Sequence, residues 1–171
     1  MRKVLYLLSR LSDDDIEWIA AAGEHRLLPV GAALRREKTV SALTFVLNGA
    51  ISVTVAGKGE VARLVSGDVF GEMPSSDEQR PSIAATIVEP ALILSISRDA
   101  LSKKIDSDPM FAARLEAAIA MLASARTGDA AARRGDGDKS AASVEFDEEF
   151  MENVHLAGAR FDRMLKTALS R

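Results

Sequence analysis

The hydrophobic rhythm of this chain changes several times along its length, and each change marks a different element. Residues 12–23 carry apolar positions at helical spacing. Ile16, Ile19 and Ala20 form a stripe with Trp18 at its edge, where it is expected to pack half-buried. Ser12 stands where an N-cap belongs, Asp13 to Asp15 fall at the positive end of the helix dipole, and Gly23 marks the stop. From Glu24 to about Ser97 the period falls to two, in short runs rich in Val, Ile, Leu and Thr divided by glycines. Leu43–Leu47 reads as one strand and Asn48-Gly49 as a turn after it. Ile51–Val55 is the next strand, with Ile51, Val53 and Val55 on one face. Gly57-Lys58-Gly59 reads as a hairpin turn, Glu60–Leu64 as the return strand, and Ile83–Val88 and Ala91–Ile96 as two more. About eight short strands at this spacing predict a sandwich or jelly roll.

Helical spacing then returns. Arg98–Asp106 predicts a short helix. Pro109 in a first turn, with Ser107 or Asp108 as cap, opens a longer one to about Arg126. Met110, Phe111, Leu115, Ile119 and Leu122 line one side of it, and the alanines between them raise helix propensity and permit close approach of another helix. Residues 127–145 lack large apolar side chains over most of their length and predict a flexible linker. A last amphipathic helix comes next, with Phe150, Val154, Ala157, Phe161, Leu165 and Leu169 on one face. Such a helix is marginal alone and must dock on its own domain, on a second copy or on another protein. The expected organisation is therefore a domain over residues 1–126, a linker over 127–145 and a C-terminal helix over 146–171.

Length and charge narrow the picture. At 171 residues the chain holds one domain with a sizeable core plus an appendage, and its net charge of −3 supplies no field that would draw it to nucleic acid or an anionic membrane. It has no cysteine, which excludes disulfides, thiolate metal sites and cysteine nucleophiles and fits a reducing cytoplasm. Met1–Leu8 pairs a basic start with a short apolar run. Arg10 and Asp13 to Asp15 come next without a small-residue cleavage site, so the expectation is a mature N-terminus and not a signal peptide. No segment has the length of a membrane span.

Chemistry concentrates at Val65–Glu72. Gly67 and Gly71 permit a tight turn whose amides are expected to point outward at an anionic ligand, and Glu72 offers an acceptor pair suited to a sugar diol. Elsewhere the bland readings prevail. His25 and His155, the 2 histidines, lie on different elements and make no metal set, and His155 is expected to be exposed or interfacial. Asp13 to Asp15 are explained by the helix dipole. Arg35-Arg36 and Arg133-Arg134 are short and flanked by acids. No triad, supported carboxylate dyad or Walker loop is present, so the sequence predicts no enzyme, no catalytic residue and no metal.

These residues resemble the cyclic-nucleotide-binding domain family, the sensor domain of catabolite activator-type proteins, cyclic-nucleotide-gated channels and kinase regulatory subunits. The resemblance covers about residues 10–125. It rests on Gly31–Leu34, Phe45–Val53, the run Gly67-Asp68-Val69-Phe70-Gly71-Glu72, and Ala85-Thr86-Ile87 leading to Leu94–Ser97. It implies a mainly β fold, an eight-stranded jelly-roll barrel with one or two helices before it and two after it, here trailed by a C-terminal helix. It also implies a phosphate-binding cassette. Gly71 would offer its amide to a cyclic phosphate and Glu72 would accept from the ribose 2′-hydroxyl, with Phe70, Arg80, Ser82 and Ala84 completing the candidate ligand set. No cofactor is demanded, and cyclic AMP or cyclic GMP is the ligand implied.

The cassette departs from the family pattern. An arginine normally precedes Ala-(Ala/Thr)-Thr, whereas here Ile83 precedes Ala84-Ala85-Thr86, and the nearest arginine is Arg80. Pro74 removes a donor, Asp77 and Glu78 add negative charge, the apolar anchors of the cassette helix are missing, and Lys38 stands where a glycine is expected. Losing the charge-assisted contact to the phosphate would cost roughly 2–4 kcal/mol, about 30- to 1000-fold in affinity. The expectation is a cytoplasmic regulatory or interaction module with lost or altered nucleotide binding. The alternative is a genuine sensor of cyclic AMP or cyclic GMP, with Arg80 as cation, signalling through its C-terminal helices. A helix-turn-helix would need two further helices with a sharp turn after the long helix, where the sequence offers a polar linker and one amphipathic helix, so no direct nucleic-acid partner is expected, and no membrane. Phe111, Leu115, Ile119 and Leu122 are the candidate homodimer contact, and the C-terminal helix is a candidate site for a protein partner.

Overall fold

The computed structural model describes residues 3–34, 41–71, 83–133 and 148–170. Two helices, α1 (Lys3–Arg10) and α2 (Asp13–Ala22), precede the strands β1 (Glu24–Leu28), β2 (Ala33–Leu34), β3 (Ser41–Val55), β4 (Gly59–Val65), β5 (Val69–Phe70) and β6 (Ile83–Ser97). Three helices complete the chain: α3 (Arg98–Ser107), α4 (Pro109–Arg133) and α5 (Glu148–Leu169).

The six described strands form one antiparallel sheet in the order β1-β6-β3-β4, with β2 on β6 and β5 on β3. The sheet is open, and eight strands are not seen among the described residues. Each of two expected strand pairs is one long strand instead. Asn48-Gly49 is not a hairpin turn: β3 runs through it, and the ladder with β6 shifts register between Val46 and Ile51. Gly49 takes φ 85°, and a Cβ there would lie 2.2 Å from the Pro90 carbonyl oxygen. The extra residue reverses the side-chain phase. Before the bulge, Leu43, Phe45 and Leu47 join Leu92, Leu94 and Ile96 in the core beneath the helices. Beyond it, Ile51 joins Val46, Ile87, Ala91 and Ile93 on the opposite, interior face, where Leu28, Leu34, Leu64, Phe70 and Ala85 pack half-buried.

The helices cover the first face. The apolar N-terminal run becomes α1, whose Val4, Leu7 and Leu8 are fully buried, and α1 packs against both α4 and α5. In α2, Ser12 Oγ accepts from the Asp15 amide while the Asp15 carboxylate accepts from the Ser12 amide, a capping box. Gly23 ends α2 in extended backbone, not in the left-handed conformation; it is glycine because a Cβ would meet the Leu94 side chain at 2.2 Å. Asp108, not Ser107, caps α4 by accepting from the Phe111 amide at 2.9 Å.

A fork of charge locks α4 to α2. Arg114 Nε and Nη2 donate to the two oxygens of Asp15 at 2.7 and 2.9 Å. Burial works against ionisation of Asp15, but the Arg114 and Ser12 hydrogen bonds outweigh it and hold its carboxyl below the ordinary range. Trp18 is half-buried as expected and meets Phe111 edge-on at 5.3 Å, with the Lys104 ammonium over both rings.

Two expectations about the last helices change. Helix α4 continues to Arg133, through residues 127–133 of the segment read as linker. The candidate dimer stripe is filled from within the chain: Phe111, Leu115 and Leu122 are buried in the helix–sheet core, and Ile119 packs half-buried against it. Helix α5 docks in cis on α1 and α2, burying Ala157, Phe161, Met164 and Ala168. Leu169, expected on the buried face, is 71% exposed. Successive steps of four outrun a turn of about 3.6 residues, so the stripe drifts off the contact after Phe161.

Candidate ligand site

The glycine run folds as a turn stitched to its neighbours. Gly67 adopts φ 88°, a left-handed conformation that favours glycine. Its amide donates to the Val46 carbonyl at 2.8 Å, the Val46 amide donates to the Asp68 carbonyl at 2.9 Å, and the Asp68 amide donates to the Val65 carbonyl at 2.8 Å. Asp68 closes the turn by accepting the Val65 amide on its carboxylate at 2.8 Å. Ser66 Oγ donates to the Leu47 carbonyl at 2.9 Å. This corrects the expectation of outward-pointing amides, because those of Gly67 and Asp68 are consumed within the fold. The turn is a platform that carries β5 and Gly71, not itself an anion receptor.

The platform is also held from the helical side. The Val4 amide, in the first turn of α1, donates to the Gly67 carbonyl at 2.8 Å, and Lys3 Nζ lies 3.9 Å from the Asp68 carboxylate. The helix against which α4 and α5 both pack thus also touches the approach to the candidate site.

After the turn, β5 aligns Val69 with Phe45 and Phe70 with Thr44. Alternation then sends Val69 into the core beneath the helices and Phe70 into the interior cluster. Gly71 emerges exposed beside this apolar wall. Of the remaining candidates, Glu72, Arg80 and Ser82 lie outside the described residues, as do Lys38, Pro74, Asp77 and Glu78. Ala84 is exposed, and its carbonyl faces the Thr54 hydroxyl at 3.4 Å, which leaves Ala85 as the neighbour that joins the interior cluster. The strand begins at Ile83, in register with Val55.

Sequence reasoning missed the wall itself. Leu34, Leu64, Phe70 and Ala85 stand around a buried base of Val46, Ile51, Ile87 and Ile93. The buried Thr44 hydroxyl and that of Ser95, 3.1 Å apart, pair on two strands next to Phe70. The alternation of β4 and β6 carried that signal, but the phase reversal at Gly49 hid which half of β3 belongs to the wall. Chemically, the described part offers an apolar surface for a flat or aliphatic group, one pair of hydroxyls and a glycine at the margin. His155 is exposed, and among the described residues no three His, Asp or Glu side chains converge as a metal site would require. No described helix is long and apolar enough to cross a membrane.

Known proteins share this outline. A family model for the cyclic nucleotide-binding domain matches residues 26–108. No curated protein matches the chain. Among solved structures, a cyclic nucleotide-binding domain from Methylobacillus flagellatus KT is 20% identical with a TM-score of 0.61, over 77% of this chain and 80% of that one. The N-terminal domain of a transcriptional regulator from Streptomyces coelicolor A3(2) is 23% identical with a TM-score of 0.56, over 74% and 96%. The catabolite activator protein of Thermus thermophilus is 23% identical with a TM-score of 0.54, over 96% and 87%. At these identities the likeness is one of fold.

Proposed function

We propose that the chain, whose residues 26–108 match the family model of the cyclic nucleotide-binding domain, is a regulatory and interaction module of that family whose nucleotide binding is lost or altered. One observation carries the reading. The residue that opens β6, at the position where the family pattern has the phosphate's arginine, is Ile83. An aliphatic side chain offers no counter-charge, and a phosphodiester brought in without one is an uncompensated anion. Asp77 and Glu78 would add to the repulsion, and the amides of Gly67 and Asp68 are already used. The reading takes the open sheet as part of the family's jelly roll, assigns no catalytic residue, and places the module in the cytoplasm, in signalling.

A second reading is a working sensor of cyclic AMP or cyclic GMP. Its support is the retained order Gly67, Phe70, Gly71, Glu72, with Phe70 anchoring the approach and Arg80 as the cation. A gain-of-binding experiment separates the two. Ile83→Arg in the full chain should bind a fluorescent cyclic AMP analogue roughly 30- to 1000-fold tighter than the unaltered chain, the worth of one charge-assisted contact. Equal, tight binding by both proteins would refute the proposal.

A further inference from the structure

Among the described side chains of α5, Ala157, Phe161, Met164 and Ala168 are buried, two of them large. The helix packs chiefly on α1, with α2 and β3 as lesser partners. Between α2 and α5 an open cleft of about 150 Å³ remains, lined by Ile16, Ala20, Arg163 and Met164 among others. The two helices therefore do not close along their whole length.

The polar part of the hold is specific. Arg160 has a side chain only 11% exposed, and it spans the corner where α1 ends and α2 begins. Its Nε donates to Asp13 Oδ1 at 2.7 Å and its Nη1 to the Leu8 carbonyl at 2.8 Å. The Leu8 carbonyl belongs to the last turn of α1, which lacks helical partners and carries the negative end of the dipole. One turn on, Arg163 Nη1 lies 4.0 Å from Glu17 of α2. The corner thus presents an apolar groove rimmed by acids and a helix C-terminus, and it is read by an Arg-Phe-x-Arg-Met sequence on one helical face.

We propose that the α1–α2 corner is a docking site for an amphipathic helix with two arginines on its docking face, and that α5 is its resident, exchangeable occupant. A tether of ordinary length supplies an effective concentration on the order of millimolar, so α5 in cis wins until its grip is weakened or a second copy of the helix is supplied in excess. This exchange does not depend on whether a nucleotide binds.

The test uses the full chain and a fluorescein-labelled peptide of residues 148–171, monitored by anisotropy. Arg160→Glu in the chain should raise peptide affinity at least tenfold over the unaltered protein, because the tethered helix no longer holds the site. Adding Asp13→Lys to that variant should reverse the gain. Trp18 meets Phe111 of α4 edge-on, so its unchanged emission reports that the packing of α2 on α4 survives in the variant. Native-state hydrogen exchange on the unaltered chain decides independently: amides 157–168 should exchange through an opening that leaves β3 protected. Absence of peptide binding to the folded variant, or protection of α5 equal to that of β3, overturns the proposal.

Discussion

Asp15 accepts three N–H donors at once. It closes the α2 capping box with Ser12, takes both donors of the Arg114 fork, and does so almost wholly buried. Arg114→Ala would leave that carboxylate with only its local partner, and the expected loss is about 1–3 kcal/mol, read as a lower urea midpoint at pH 7. The sign of the pH dependence comes from the depressed folded value. Asp15 stabilises the fold at neutral pH, and that stabilisation is lost as pH falls below the ordinary 3.8 and through the folded value. The gap between the two proteins should therefore narrow at pH 3, and a gap that stays constant would mean that the loss does not come from the ionised Asp15 carboxylate. Gly49 makes a second demand. With φ 85° and a Cβ position 2.2 Å from the Pro90 oxygen, Gly49→Ala should cost at least about 2 kcal/mol in the same assay, whereas a neutral result would mean the bulge is not fixed.

Among the elements, α2, α3 and the start of α4 were legible because their caps are local: Ser12, Ser97 and Asp108 each bond an amide three residues on. The strands were legible as strands but not as ladders. Leu43, Phe45, Leu47, Ile51, Val53 and Val55 all fall on odd positions and read as one continuous face. The bulge puts Ile51 on the face opposite Phe45, and only its opposition to Pro90 in space reveals that. The α5 stripe was found, but the part that docks was not, since which residues stay buried depends on where α1 lies. Phe111 tests the helix layer directly. Phe111→Ala removes a fully buried ring and the edge contact with Trp18, so we expect a loss of about 3–5 kcal/mol and red-shifted Trp18 emission. Unshifted emission would place Trp18 elsewhere.

At the scale of the whole molecule, one chain satisfies the stripe expected as the dimer contact, because α1 packs against α4 and Trp18 of α2 meets Phe111. Any pairing of copies through α4 is left to its other side, where Met110, Ala113 and Ala117 are exposed. Ala117→Arg should then convert a dimer to a monomer in light scattering with no loss of stability, and a dimer that persists would move the interface off α4. The candidate site was readable as far as the order of its glycines and Phe70. Its apolar wall was not, since it is assembled from β2, β3, β4 and β6, whose meeting no local pattern encodes. What the sequence did display is chemical: an isoleucine where the family pattern carries the phosphate's positive partner.

Calorimetric titration of the full chain with cyclic AMP and cyclic GMP tests the proposed loss of that counter-charge most directly. No saturable heat is expected up to millimolar ligand. Micromolar binding that disappears in Arg80→Ala would contradict it and restore the sensor.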